Sequence, residues 1–105
     1  MQDKMKMLWL DDLRDKPSPE WDAVRNYEEF THYIKKYCMP DKISFDHDLG
    51  RPKTGYDCAV WLEREIATTI AAGKIIKIPA MRCHSANPAG RERIEAAIKS
   101  MMRMK

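Results

Sequence analysis

Short apolar runs alternate with helical ones along this chain. Met5, Met7 and Trp9, with Leu8 and Leu10 between them, form a first run that stops at Asp11-Asp12. So dense a run predicts a strand buried on both faces. Pro17 and Pro19 break the chain after it, and Trp21 to Arg25 predicts a short second strand. Asn26 caps a helix, with Glu29 three residues on. Phe30, Tyr33, Ile34, Tyr37 and Cys38 follow at helical spacing until Met39-Pro40-Asp41. Ile43 to Phe45 predicts a third strand, which stops at Asp46-His47-Asp48. Gly50, Pro52 and Gly55 mark a loop, and Thr54 with Asp57 starts a second helix. Cys58, Leu62, Ile66 and Ile70, with Ala59 and Trp61 alongside, share one side of it, and Gly73 closes it.

Ile75 to Cys83 reads as extended, although Pro79 keeps its first half from a central place. It stops at His84-Ser85. Asn87 before Pro88 starts a last helix, whose inner face is Ile94, Ala97, Ile98 and Met101. Strands separated by helices imply parallel pairing and a three-layer α/β sandwich. Trp9 and Trp61 read as core residues, and the methionines as gap fillers or, near the C-terminus, as tail.

Composition narrows the class. The 105 residues suit one domain, with the last few as a frayed tail. Apolar residues at 44% and charged residues at 33% describe a globular chain and exclude disorder. No run approaches the roughly 18 apolar residues that a membrane span needs. The start, MQDKMKM, lacks the apolar core of a signal peptide, so a cytoplasmic location is expected. Cys38, Cys58 and Cys83 are odd in number with no CxxC pair, against both a disulfide scaffold and structural zinc. Cys83 reads as packed in its strand. A net charge of +3 is too mild for a track along a long nucleic acid. The basic excess lies in Arg91, Arg93, Lys99, Arg103 and Lys105, read as a solvated helix face. So small a core leaves room for stabilisation by a ligand or a partner subunit.

The candidate chemistry is positional. Three predicted strands end in reactive residues: Asp11-Asp12 with Arg14, Asp46-His47-Asp48, and His84-Ser85 with Asn87. Ligands of open parallel sheets bind outside the carboxyl ends of the strands, so these clusters should meet at one edge. His47 and His84 supply an acid and a base. Gly90 allows an anion to approach the start of the last helix, and Arg91 and Arg14 fork onto phosphate oxygens. The carboxylates orient the His rings or hold Mg²⁺ or Mn²⁺.

LWLDDLR at Leu8 to Arg14, SFDHDLG at Ser44 to Gly50, TGYDCAVWL at Thr54 to Leu62 and HSANPAGRERI at His84 to Ile94 carry a further signal. Together they resemble the receiver-like domains proposed to process cyclic phosphates, small relatives of response-regulator receivers. The resemblance implies a flavodoxin-like sheet with helices on both faces. It implies a pocket of Asp11, Asp12, Asp46, His47, Asp48, His84, Ser85, Asn87 and Arg91. Asp11 and Asp12 then take the acidic metal-binding pair, Asp46 the phosphoacceptor place and Ser85 the hydroxyl of the fourth strand. The fifth strand with its switch Lys is missing, and His47 and His84 are additions that a phospho-switch does not need.

The leading expectation is a phosphoesterase that opens a cyclic phosphate on a nucleotide, an RNA end or a sugar phosphate. His47, His84 and Asp46 form its catalytic group. Arg14, Ser85, Asn87, Gly90 and Arg91 hold the phosphate, and Asp11, Asp12 and Asp48 are the metal-ligand candidates. Two other classes compete. One is a binding module that sequesters a cyclic nucleotide, as a small phage protein countering host defence would. The other is a degenerate receiver or interaction domain.

Overall fold

In the computed structural model, residues 5–104 are described. Lys105, the last cation of the basic tail, and the first four residues of the MQDKMKM start lie outside them. Four strands, β1 (Met7–Leu10), β2 (Trp21–Val24), β3 (Lys42–Phe45) and β4 (Ala80–Cys83), form one sheet in the order β2-β1-β3-β4. Every pairing is parallel. Three helices, α1 (Tyr27–Tyr37), α2 (Gly55–Ala71) and α3 (Pro88–Met102), complete a receiver-like α/β fold.

The helix starts are those that the sequence marks. Asn26 Oδ1 accepts from the Glu29 amide at 2.9 Å, and Asn87 Oδ1 from the Gly90 amide at 3.0 Å. Thr54 and Asp57 cap each other reciprocally. Cys38, expected within the first helix, instead ends it, with a left-handed φ of 66°. The fourth strand is shorter than its extended run: pairing begins only after Pro79, which has no amide to give. Ile70, expected on the inner side of α2, is 40% exposed near the end of that helix.

Among the described residues the expected second layer of helices is not formed. Leu8, Leu10, Val24, Ile43, Phe45 and Cys83 face one core, and all three helices pack into it. The cause is topological. The β2-to-β3 and β3-to-β4 connections step the same way across the sheet, so right-handed crossovers put α1 and α2 on one face. α3 packs beside α2. Only the β1-to-β2 connection steps the other way, and its residues, with Pro17 and Pro19, form no helix. The smallest extent of the molecule, 20 Å, suits a sheet with one helical layer.

Trp9 and Trp21 cover part of the opposite face, edge to face at 5.8 Å. Trp9 is buried there rather than in the helical core. Trp61 packs against that core through Phe30. Met101 is fully buried and Met104 packs on the core, so the helix face reaches almost to the last described residue. Among the described residues no helix is long and apolar enough to cross a membrane.

Candidate functional site

Strand register explains how distant residues meet. Leu10 and Phe45 are partners, as are Phe45 and Cys83, so Asp11, Asp46 and His84 leave the sheet at one level. The ladder continues through them: the Asp46 amide donates to Leu10 O at 3.0 Å and the His84 amide to Phe45 O at 2.8 Å. One ligand atom from each of Asp11, Asp46 and His84 lies within 4.8 Å of the others.

Asp11 is almost wholly buried. Its Oδ1 accepts from the Leu13 and Arg14 amides at 2.9 and 2.7 Å, and its Oδ2 lies 3.0 Å from His84 Nε2. Burial opposes its ionisation, but these donors outweigh it and hold the carboxyl below its usual range. Asp46 goes the other way: burial first, then the charge of Asp11, push it up. The His47 amide, at 2.9 Å, and the Ser85 hydroxyl only partly offset this. Two buried carboxylates in conflict, with an imidazole beside them, are a donor set that a divalent cation would relieve. Asp12 and Asp48, expected as metal ligands with Asp11, do not join this group. Asp12 reaches toward Gly50, and Asp48 turns outward to His47 and Asn87.

The two imidazoles have different surroundings. His84 is held at both nitrogens, by Ser44 Oγ at 2.7 Å and by Asp11 at 3.0 Å. His47 Nδ1 lies 3.0 Å from Asp48 Oδ1, and that carboxylate also accepts from Asn87 Nδ2 at 3.3 Å. The His47 ring and then Asn87 hold the Asp48 carboxyl below its ordinary range. Among the described residues no group bonds His47 Nε2. A Cβ at Gly90 would sit 2.2 Å from His47 Cγ, so the bare side of Gly90 receives the ring. The Gly90 amide is already taken by Asn87, so the anion cradle expected at this glycine is filled from within. Ser85 Oγ accepts from the Asn87 amide at 3.1 Å and so ties the end of β4 to the start of the last helix.

Arg14 and Arg91, the two guanidiniums expected at the site, flank the centre, and Arg25 Nη1 donates to Asp11 O at 2.9 Å. Arg14 Nη1 donates to His84 O at 3.1 Å, and Arg91 Nε to Glu95 at 3.3 Å; both side chains stay about half-exposed. An open groove of about 730 Å³, lined by Arg82, His84, Arg91 and Lys99 among others, adjoins the cluster. A larger groove at the opposite end of the sheet, beside Lys6, Tyr37 and Ile75, has none of these groups. Ser44, Trp9 and Arg82 were not recognisable as site residues in the sequence; the one signal was a serine in an otherwise apolar strand.

Burial holds the His84 pKa below its ordinary 6.5, although the Asp11 bond works against this. The unfolded ring takes a proton near 6.5 and the folded one resists. Stability present above that value is therefore lost as pH falls toward the lower folded value. Thermal melts between about pH 7 and pH 5.5 should show falling stability, with a shallower slope in His84→Gln. Equal slopes in the two proteins would count against this ring as the source.

A family model described as the cyclic-phosphate processing receiver domain matches residues 6–100. No curated protein and no solved structure gives a significant match.

Proposed function

Because this chain belongs to the cyclic-phosphate processing receiver domain family, we propose that it hydrolyses a cyclic phosphodiester on a nucleotide, an RNA end or a sugar phosphate. The observation that carries the reading is the His47–Asp48 pair. The Asp48 carboxylate can only accept, so the facing Nδ1 carries a proton and Nε2 is the atom available for proton transfer. His47 takes a proton from the attacking water. The new phosphorus–oxygen bond forms, the ring bond to one ester oxygen breaks, and that oxygen leaves as an alcohol with a proton from water. His84, whose two nitrogens are both engaged, serves the cluster rather than the proton transfer. Arg14 and Arg91 hold the non-bridging oxygens.

Asp11, Asp46 and His84 fit a divalent cation, and the imidazole favours Mn²⁺ over Mg²⁺. Such an ion, when bound, supplies charge neutralisation at the phosphate. Asp46→Asn removes the charge that Asp11 repels. It should raise the melting temperature by about 4 °C without cation and abolish any Mn²⁺-induced rise. A thermal-shift titration of both proteins decides this; an undiminished Mn²⁺ response in the variant would remove Asp46 from the ligand set.

The activity test is a panel of 2′,3′-cyclic nucleotides and cyclic dinucleotides, with and without Mn²⁺, followed by chromatography. Ring-opened phosphate is the expected product. Tight binding with the ligand recovered intact would overturn hydrolysis in favour of sequestration.

A further inference from the structure

Ser44 lies in the middle of β3, fully buried, on the face away from the helices. Its neighbours across the sheet are Trp9 and Arg82. Its Oγ lies 2.7 Å from His84 Nδ1 and accepts from Arg82 Nε at 3.2 Å. The His84 ring lies flat on Trp9, with centroids 3.8 Å apart and planes within 3°. Trp9 is held in turn by its Nε1–H donating to Arg14 O at 3.3 Å.

The donors order themselves along one line. Arg82 can only donate, so it takes a lone pair of Ser44 Oγ. Asp11 accepts two backbone amides on its other oxygen and is a carboxylate, so His84 Nε2 carries the proton between them. A neutral ring then has none on Nδ1, and the Ser44 hydroxyl donates to it. The chain runs Arg82 to Ser44 to His84 to Asp11.

We propose that Ser44, backed by Arg82 and by the Trp9 stack, is a positioning residue that lets His84 exchange its Nε2 proton for a cation without losing a partner at Nδ1. The proposal rests on reading Asp11, Asp46 and His84 as a cation site. To bind a cation through Nε2, the neutral ring must carry its single proton on Nδ1. The Ser44 oxygen then accepts where it had donated. A hydroxyl can do both; an alanine can do neither. Partners of this kind at the far nitrogen of a ligating histidine contribute about 10- to 100-fold to metal affinity.

Two measurements test it. Long-range ¹⁵N–¹H NMR of the cation-free protein should show His84 as a single Nε2–H tautomer both without substitution and in Ser44→Ala, because Asp11 sets it, and so shows the cation-free ring undisturbed in the variant. Calorimetric Mn²⁺ titration should show about 10- to 100-fold weaker binding in Ser44→Ala and a smaller loss in Arg82→Ala, an exposed site where misfolding is not at issue. Unchanged Mn²⁺ affinity in Ser44→Ala overturns the proposal, and loss of the single Nε2–H tautomer in that cation-free variant overturns it too, by showing that Ser44 holds the ring in place rather than serving the exchange. If the unmutated protein binds no Mn²⁺, the cation-site reading falls, and with it the proton-for-cation exchange.

Discussion

Replacing His47 by glutamine is expected to lower turnover of a cyclic phosphate by about 10²- to 10⁴-fold, the range for loss of a positioned acid–base group. Glutamine keeps polar bulk against Gly90 but has no basic nitrogen. The ring it replaces touches Gly90 and Asp48 and makes no side-chain bond to the buried cluster, so the fold and cation binding should survive. Asp48→Asn should cost less, because the ring stays and loses only its orientation. The loss should fall on kcat rather than on KM, since His47 acts on the water and not on the phosphate oxygens. Turnover within threefold of the unmutated protein in His47→Gln would end the proposed role of this residue. A parallel loss of Mn²⁺ binding would instead show that the substitution had disturbed the neighbouring Asp46.

Gly55→Ala is expected to be the most damaging single substitution to the fold. A Cβ there would lie 1.6 Å from the Asp46 carbonyl oxygen, 2.7 Å from its carbon and 3.1 Å from His47 Cα. These are backbone atoms with no rotamer by which to retreat. They cannot shift without disturbing the Gly55 N–H bond to His47 O, at 2.8 Å, or the end of β3. The cost should reach about 3 kcal/mol or more, the upper end for overpacking. From a total of about 5–15 kcal/mol, that should lower the melting temperature by about 12–24 °C. Urea denaturation gives the number. Gly73→Ala is the control: a Cβ there meets nothing within 4 Å, and only the left-handed φ of 76° is strained. That should cost about 1 kcal/mol. Gly55→Ala at or below that figure would show that the β3–α2 corner gives way more easily than its contacts require.

Much of the site was legible because it follows from local rules. Asp11, Asp46 and His84 each come directly after an apolar strand, and parallel strands in register carry such residues to one edge. Asn26, Thr54 and Asn87 cap where their spacing indicates. The division of labour between the two imidazoles was not legible. His47 and His84 stand in similar settings in the chain, each beside small polar residues after a strand. One turns out toward α3 and Asp48, while the other folds back over β3 onto Trp9. The partners of His84 lie 40 and 73 residues away. Likewise, Asp48 reads as a ligand beside Asp46 in sequence, but its side chain turns outward at the loop and meets Asn87 instead.

The amino-acid sequence by itself determined the elements, their parallel pairing and the edge at which the chemistry gathers, because periodicity, caps and strand ends are short-range properties. Only the tertiary structure decided that all three helices share a face, that Trp9 and Ser44 clamp His84 from the other face, and that among the described residues no group bonds His47 Nε2. Those outcomes depend on which way each connection crosses the sheet and on contacts between residues far apart in the chain. No local pattern encodes either of them.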